Sequence, residues 1–158
     1  MSSATMATRM IEAAELLLRD GSASSAFRRR AVSTAYYAVF HALARQCADF
    51  PRSAPRRSEE YERVYRALEH GPLKQAFLQS PLKDNRLLSK IGQSVVRLQA
   101  ERFKADYMPP ITGLFSSAQA EELVGLGRET VKEIEALRAG PDNARLLATA
   151  LMFTGKRR

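Results

Sequence analysis

The stretch over residues 25–47, which contains neither Gly nor Pro, constrains this chain most. Within it Val32, Tyr36, Val39 and Leu43 recur at spacings of four, three and four, the period of a single helix face. The spacing predicts a long amphipathic helix. No segment of the chain shows the sustained alternation that a half-buried strand requires.

The same period recurs on both sides. Over residues 6–19 the apolar series is Met10, Ala13, Ala14 and Leu17, and Asp20-Gly21-Ser22 breaks it. Phe50-Pro51-Arg52-Ser53-Ala54-Pro55-Arg56-Arg57 carries two prolines and three arginines and reads as an exposed basic loop. Tyr61, Val64, Tyr65 and Leu68 then predict a short helix that stops at His70-Gly71-Pro72, with a further turn or two over residues 73–78. Leu88, Ile91, Val95 and Leu98 mark a long helix that ends before Pro109-Pro110. Ser116 and Gln119 have capping-box spacing, followed by a stripe of Ala120, Val124, Val131 and Ile134 that runs towards Gly140. Asp142 is placed to cap a last helix containing Leu146, Leu147, Ala150 and Leu151. The expected fold is all-α: an antiparallel bundle of five to six helices, one domain over residues 1–158 with a short basic C-terminal tail, Lys156-Arg157-Arg158.

Composition narrows the function. A single cysteine, Cys47, excludes an intrachain disulfide framework, and with two histidines it leaves too few ligands for a structural zinc site. No metal and no other cofactor is expected. Glu12 and Glu15 interrupt any apolar run near the N-terminus, so neither a membrane segment nor an export signal is expected, and a cytoplasmic location is the simplest fit. The 158 residues carry 25 Lys and Arg against 17 Asp and Glu, a net charge of +8. Such a surplus favours phosphate-rich partners through counterion release, and it also serves solubility.

Several side chains stand out by spacing. Arg30, Thr34, Tyr37 and His41 follow one another at intervals of four, three and four along one flank of the second helix. They can line a pocket or sit half-buried between helices. The run Arg28-Arg29-Arg30 lies at a helix start, where positive charge opposes the dipole, and with Arg56 and Arg57 it is a candidate for phosphate contact. Arg102 continues the series Leu88, Ile91, Val95, Leu98 one step further, so its stem should point inward. Asp106 four residues on offers it a carboxylate, and Tyr107 a hydroxyl. Arg63, Arg66 and His70, at spacings of three and four, combine a proton carrier with cations able to stabilise a developing phosphorane. Glu59 and Glu62 make an ordinary surface charge ladder an equal reading of that segment.

Three segments carry a resemblance to a known family. Ala31-Val32-Ser33-Thr34-Ala35-Tyr36-Tyr37-Ala38-Val39-Phe40-His41 resembles the RAYYAxFH signature of HEPN-like (higher eukaryote and prokaryote nucleotide-binding) bacterial proteins. His70 followed by Phe77 resembles their H…F segment, and Arg102-Phe103-Lys104-Ala105-Asp106-Tyr107 resembles their RxxADY motif. The resemblance implies a helical bundle that often forms homodimers. It also implies RNA or nucleotide binding or metal-independent RNA cleavage, in some members beside a nucleotidyltransferase-type protein partner in toxin-antitoxin or defence pairs. Thr34 stands where that first motif usually has arginine. The ribonuclease members carry their arginine and histidine on a late helix with a polar residue after the arginine; here Arg63 precedes Val64 on a middle helix.

Three functions follow as expectations. The first is an RNA- or nucleotide-binding module whose site is shaped by Tyr37, His41, Arg102, Asp106 and Tyr107 and whose phosphate contacts come from Arg28, Arg29, Arg30, Arg56 and Arg57. The second is a metal-independent endoribonuclease toxin using His70 with Arg63 or Arg66. The third is a protein-interaction partner in which the motifs are purely structural.

Overall fold

The computed structural model describes residues 3–21, 24–50 and 58–153. Seven α-helices form among them: α1 (Met6–Gly21), α2 (Ser25–Asp49), α3 (Glu59–Arg66), α4 (His70–Phe77), α5 (Arg86–Tyr107), α6 (Ser117–Ala136) and α7 (Pro141–Phe153). Short 3-10 turns cover Leu82–Asp84 and Leu137–Ala139, and the described residues contain no strand. No described helix is long and apolar enough to cross a membrane.

Side-chain caps explain where most of these helices start. The Oγ1 of Thr5 accepts from the backbone N–H of Thr8, Ser24 from Phe27, Ser58 from Tyr61, and the Asn85 side chain from Leu88. Each satisfies one of the N–H groups that a helix start leaves orphaned. Ser116 and Gln119 close the reciprocal capping box the spacing predicts, Gln119 donating to Ser116 Oγ at 3.1 Å and the Ser116 N–H to Gln119 Oε1 at 2.8 Å. Asp142 does not cap α7. Pro141 already occupies the first helical position, where its missing N–H is no loss, and Asp142 faces solvent beside Arg145.

The count exceeds the expected five or six because residues 70–77 form a full helix. Gly71 and Pro72 lie in its first turn, where a proline is accommodated, so the pair begins α4 and does not end α3. The stripe of α1 is also set one residue over from Met10, Ala13, Ala14 and Leu17. Ala7, Ile11, Ala14 and Leu18 are the buried residues, while Ala13 is exposed.

Two compact units partition the chain. The first takes residues 1–41 and 94–132. Its core holds Ile11 and Leu18 of α1, Val32, Tyr36 and Val39 of α2, Val95 and Leu98 of α5, and Ala120, Val124 and Val131 of α6. Gly127 brings α6 close to α2: a Cβ there would stand 3.1 Å from that of Ala35. The second unit takes residues 42–93 and 133–158. Leu43, Cys47, Leu73, Phe77, Leu88, Ile91, Ile134 and Leu147 form its core. Asn85, besides capping α5, donates from its amide to Asn143 Oδ1 of α7 at 3.0 Å. The ion pair of Arg138 with Asp49 adds a link between α2 and the turn after α6.

Candidate functional site

In the first unit α2 and α5 run antiparallel, and their contacts fix the register. Arg29, near the start of α2, donates from Nε to the Ala105 carbonyl at 2.8 Å, and its Nη2 reaches the carbonyls of Lys104 and Met108. Two turns further along α2, the rings of Tyr36 and Tyr37 carry the Arg102 guanidinium, whose central carbon lies 5.1 Å and 5.8 Å from their centroids. The segments that hold the two sequence motifs therefore meet at Arg102.

Arg102 is 9% exposed, as the continuation of the Leu88–Leu98 series predicts. Its Nη1 faces Asp106 Oδ2 at 3.8 Å, longer than the roughly 2.7–2.9 Å of a charge-assisted hydrogen bond. Its Nε is buried without a hydrogen-bond partner. The Asp106 side chain is 23% exposed, so this carboxylate retains contact with water. Burial pushes the Tyr36 hydroxyl up to about 12, against the opposing pull of the Arg102 charge and of hydrogen bonds with Gln99 and Arg102. Cation and neutral phenol thus share one desolvated corner, and a guanidinium over aromatic faces is stabilised there by the ring quadrupoles.

The remaining predicted residues divide. Tyr37 stands in the corner and packs edge-on against Tyr36 at 5.4 Å. His41 is half-buried further along α2, edge-on to Phe40 at 6.3 Å, and burial lowers its pKa. Tyr107 turns outward: it is 66% exposed and its ring lies tilted against that of Phe103, with centroids 5.1 Å apart. Arg28 donates from Nε to the Phe115 carbonyl at 2.9 Å, so both Arg28 and Arg29 hold main-chain carbonyls, while Arg30 is exposed. Arg56 and Arg57, like the basic tail, lie outside the described residues.

A family-model scan, a search of curated proteins and a search of solved structures match nothing to this chain.

Arg63, Arg66 and His70 do not share one helix flank, in contrast to the expectation from spacing. The first two are exposed on α3, where Arg66 pairs with Glu62 at 3.8 Å, and His70 opens α4 after the break at residues 67–69. Among the described residues no group of three or more His, Cys, Asp or Glu is arranged to hold a metal ion.

Sequence spacing marked Arg102, Asp106 and Tyr37 but passed over Tyr36, Gln99 and Ser33. Tyr36 reads as core because it sits in the apolar stripe, although its hydroxyl belongs to the Arg102 cluster. Ser33 carries a readable signal: it lies four residues from both Arg29 and Tyr37, on the face that meets α5.

Proposed function

We propose that the protein is a HEPN-like binding module that takes RNA or a nucleotide by its phosphate groups. The observation that carries this reading is Arg102: a guanidinium held nine-tenths buried against two tyrosine rings, with its Nε–H unpartnered and the Asp106 carboxylate at 3.8 Å. A cation kept so incompletely compensated is stabilised further by an anion, and guanidinium geometry suits phosphate oxygens. The distribution of charge supports the same reading. Arg52, Arg56, Arg57, Lys156, Arg157 and Arg158 supply six of the eight surplus positive charges, in two segments without an acidic residue. Such clusters attract a polyanion from a distance and make its binding salt-dependent.

Incubation of the protein with labelled total RNA in a chelator, read on one gel for retention and cleavage, tests the proposal. Retention that weakens from low to moderate salt without cleavage supports a binding module. Retention indifferent to salt removes phosphate contact as its basis. Cleavage that His70→Ala abolishes would replace the proposal with the ribonuclease.

A further inference from the structure

Of the eleven exposed large apolar side chains among the described residues, Phe103, Tyr107, Met108 and Ile111 fall together at the end of α5 and just beyond it. Apolar residues exposed singly are ordinary, whereas a cluster marks a surface that meets something. Its helical part is aromatic. Phe103 and Tyr107 stand one turn apart, with ring centroids 5.1 Å apart and planes inclined at 49°. They are 58% and 66% exposed, so each ring braces the other and turns most of its surface to solvent.

Charge decides what such a surface meets. The Arg29 guanidinium reaches the carbonyls of Lys104 and Met108, which places it beside the backbone on either side of the ring pair. It also covers the helix-end carbonyls that would otherwise repel a phosphate. Arg30 and Lys104 are exposed. Both nearby carboxylates already face cations, Glu101 with Lys104 at 3.1 Å and Asp106 with Arg102 at 3.8 Å. Arg29, Arg30, Arg102 and Lys104 outnumber those two, and no acidic residue follows from Tyr107 to Ala120. A second copy docked by the same patch would set this surplus against itself, since a twofold interface repeats one surface on both sides. A polyanion with flat apolar groups answers both the rings and the cations.

We propose that Phe103 and Tyr107 form a stacking platform for unpaired bases of single-stranded RNA, with Arg29, Arg30 and Lys104 drawing in its phosphates. This rests on the proposed function and adds the state of the RNA. Every base has a π-face, so the platform tolerates any sequence, but a duplex hides those faces between its own base pairs. Tyr107 then acts through its ring and not through its hydroxyl.

Fluorescence anisotropy at one ionic strength tests this with three end-labelled probes: a single-stranded oligoribonucleotide, its duplex, and an abasic oligomer with the same number of phosphates. The single strand should bind about tenfold more tightly than the abasic oligomer, the worth of a stacked base. Tyr107→Ala or Phe103→Ala should remove most of that advantage, and each stands in for the other if one does not fold. Tyr107→Phe should keep it and Tyr107→Leu should lose it. Equal binding of abasic and base-bearing strands, or recovery by leucine, overturns the platform. So does an alanine variant that binds RNA like the parent but sediments as a smaller species, which would make the patch a contact between copies. In each of these cases salt-sensitive RNA binding leaves the binding module standing, and absence of binding by any probe removes both.

Discussion

The Nε of Arg29 lies 2.8 Å from the carbonyl of Ala105, so a residue from the first turns of α2 closes the last turn of α5. The final carbonyls of a helix have no partner within it, and their partial negative charge attracts a cation. Arg29 meets those of Lys104, Ala105 and Met108 together. This resolves an oddity of the sequence. An arginine run opposes the dipole at the start of its own helix, but here the C-terminal end of a neighbouring helix offsets that cost. Arg29→Ala should lower the unfolding free energy by about 2 kcal/mol, within the range for hydrogen bonds to a charged group. Arg29→Lys should recover less than half, since one ammonium cannot span three carbonyls. Urea midpoints at unchanged m-value check both.

Two glycines of α6 should respond to alanine with opposite signs. At Gly125 a Cβ would meet nothing nearer than an Arg128 terminal nitrogen at 3.8 Å, so Gly125→Ala should stabilise by up to about 1 kcal/mol through helix propensity alone. At Gly127 it would meet the Cβ and carbonyl oxygen of Ala35 at 3.1 and 3.3 Å and the Ile11 Cδ1 at 3.3 Å. The isoleucine end can move but the α2 backbone cannot without disturbing its neighbours. Gly127→Ala should therefore destabilise by about 1–2 kcal/mol despite the same propensity gain. Paired melting curves decide the signs.

How much of this was legible depended on the range of the determining contact. Val32, Tyr36, Val39 and Leu43, and Leu88, Ile91, Val95 and Leu98, are all fully buried, because long helices average the phase over several turns. In α1 the consecutive Leu16, Leu17 and Leu18 blur that phase, and Leu18 is the one that is buried. Gly71-Pro72 was ambiguous for a local reason: both residues suit the first turn of a helix as well as the end of one. At the site, Arg102 and Asp106 were readable as a pair four residues apart. The role of Arg29 was not, since it depends on α5, more than seventy residues away in the chain.

Stability should fall at both ends of the pH scale, and Cys47, Tyr36 and His41 are three of the residues responsible. Burial pushes the Cys47 thiol from 9.0 to about 12 and the Tyr36 hydroxyl from 10.0 to about 12. Below 9.0 both are protonated in the folded and unfolded chain, so their stabilising effect is complete; above it the unfolded chain releases protons that the folded one keeps, and stability declines until about pH 12. Cys47→Ala should remove the part of the decline that begins near 9.0 and leave the part that begins near 10.0. His41 acts in the opposite direction. Its pKa is lowered from 6.5 by burial, so the unfolded chain gains a proton first and stability drops as pH falls below 6.5, a drop that His41→Gln should reduce. Urea midpoints across the pH range give all three.

Arg102 allows a separation of stability from function. Its guanidinium lies against the Tyr36 and Tyr37 rings, yet its Nε is unpartnered and its ion pair is long. A buried charge so placed adds little to stability, and an apolar side chain of similar length replaces it at small cost. Arg102→Met should therefore stay within about 1 kcal/mol of the parent. Arg102→Ala, which opens a cavity, should cost about 2–3 kcal/mol. Asp106 does not reverse this ordering, because its side chain is 23% exposed and water can solvate the carboxylate once the arginine is gone. Denaturation of both variants, followed by RNA retention with Arg102→Met, separates the roles. A stable methionine variant that no longer retains RNA assigns the charge to the ligand. A methionine variant as unstable as the alanine one makes Arg102 a structural residue, and the basic segments would then be the sole basis for binding.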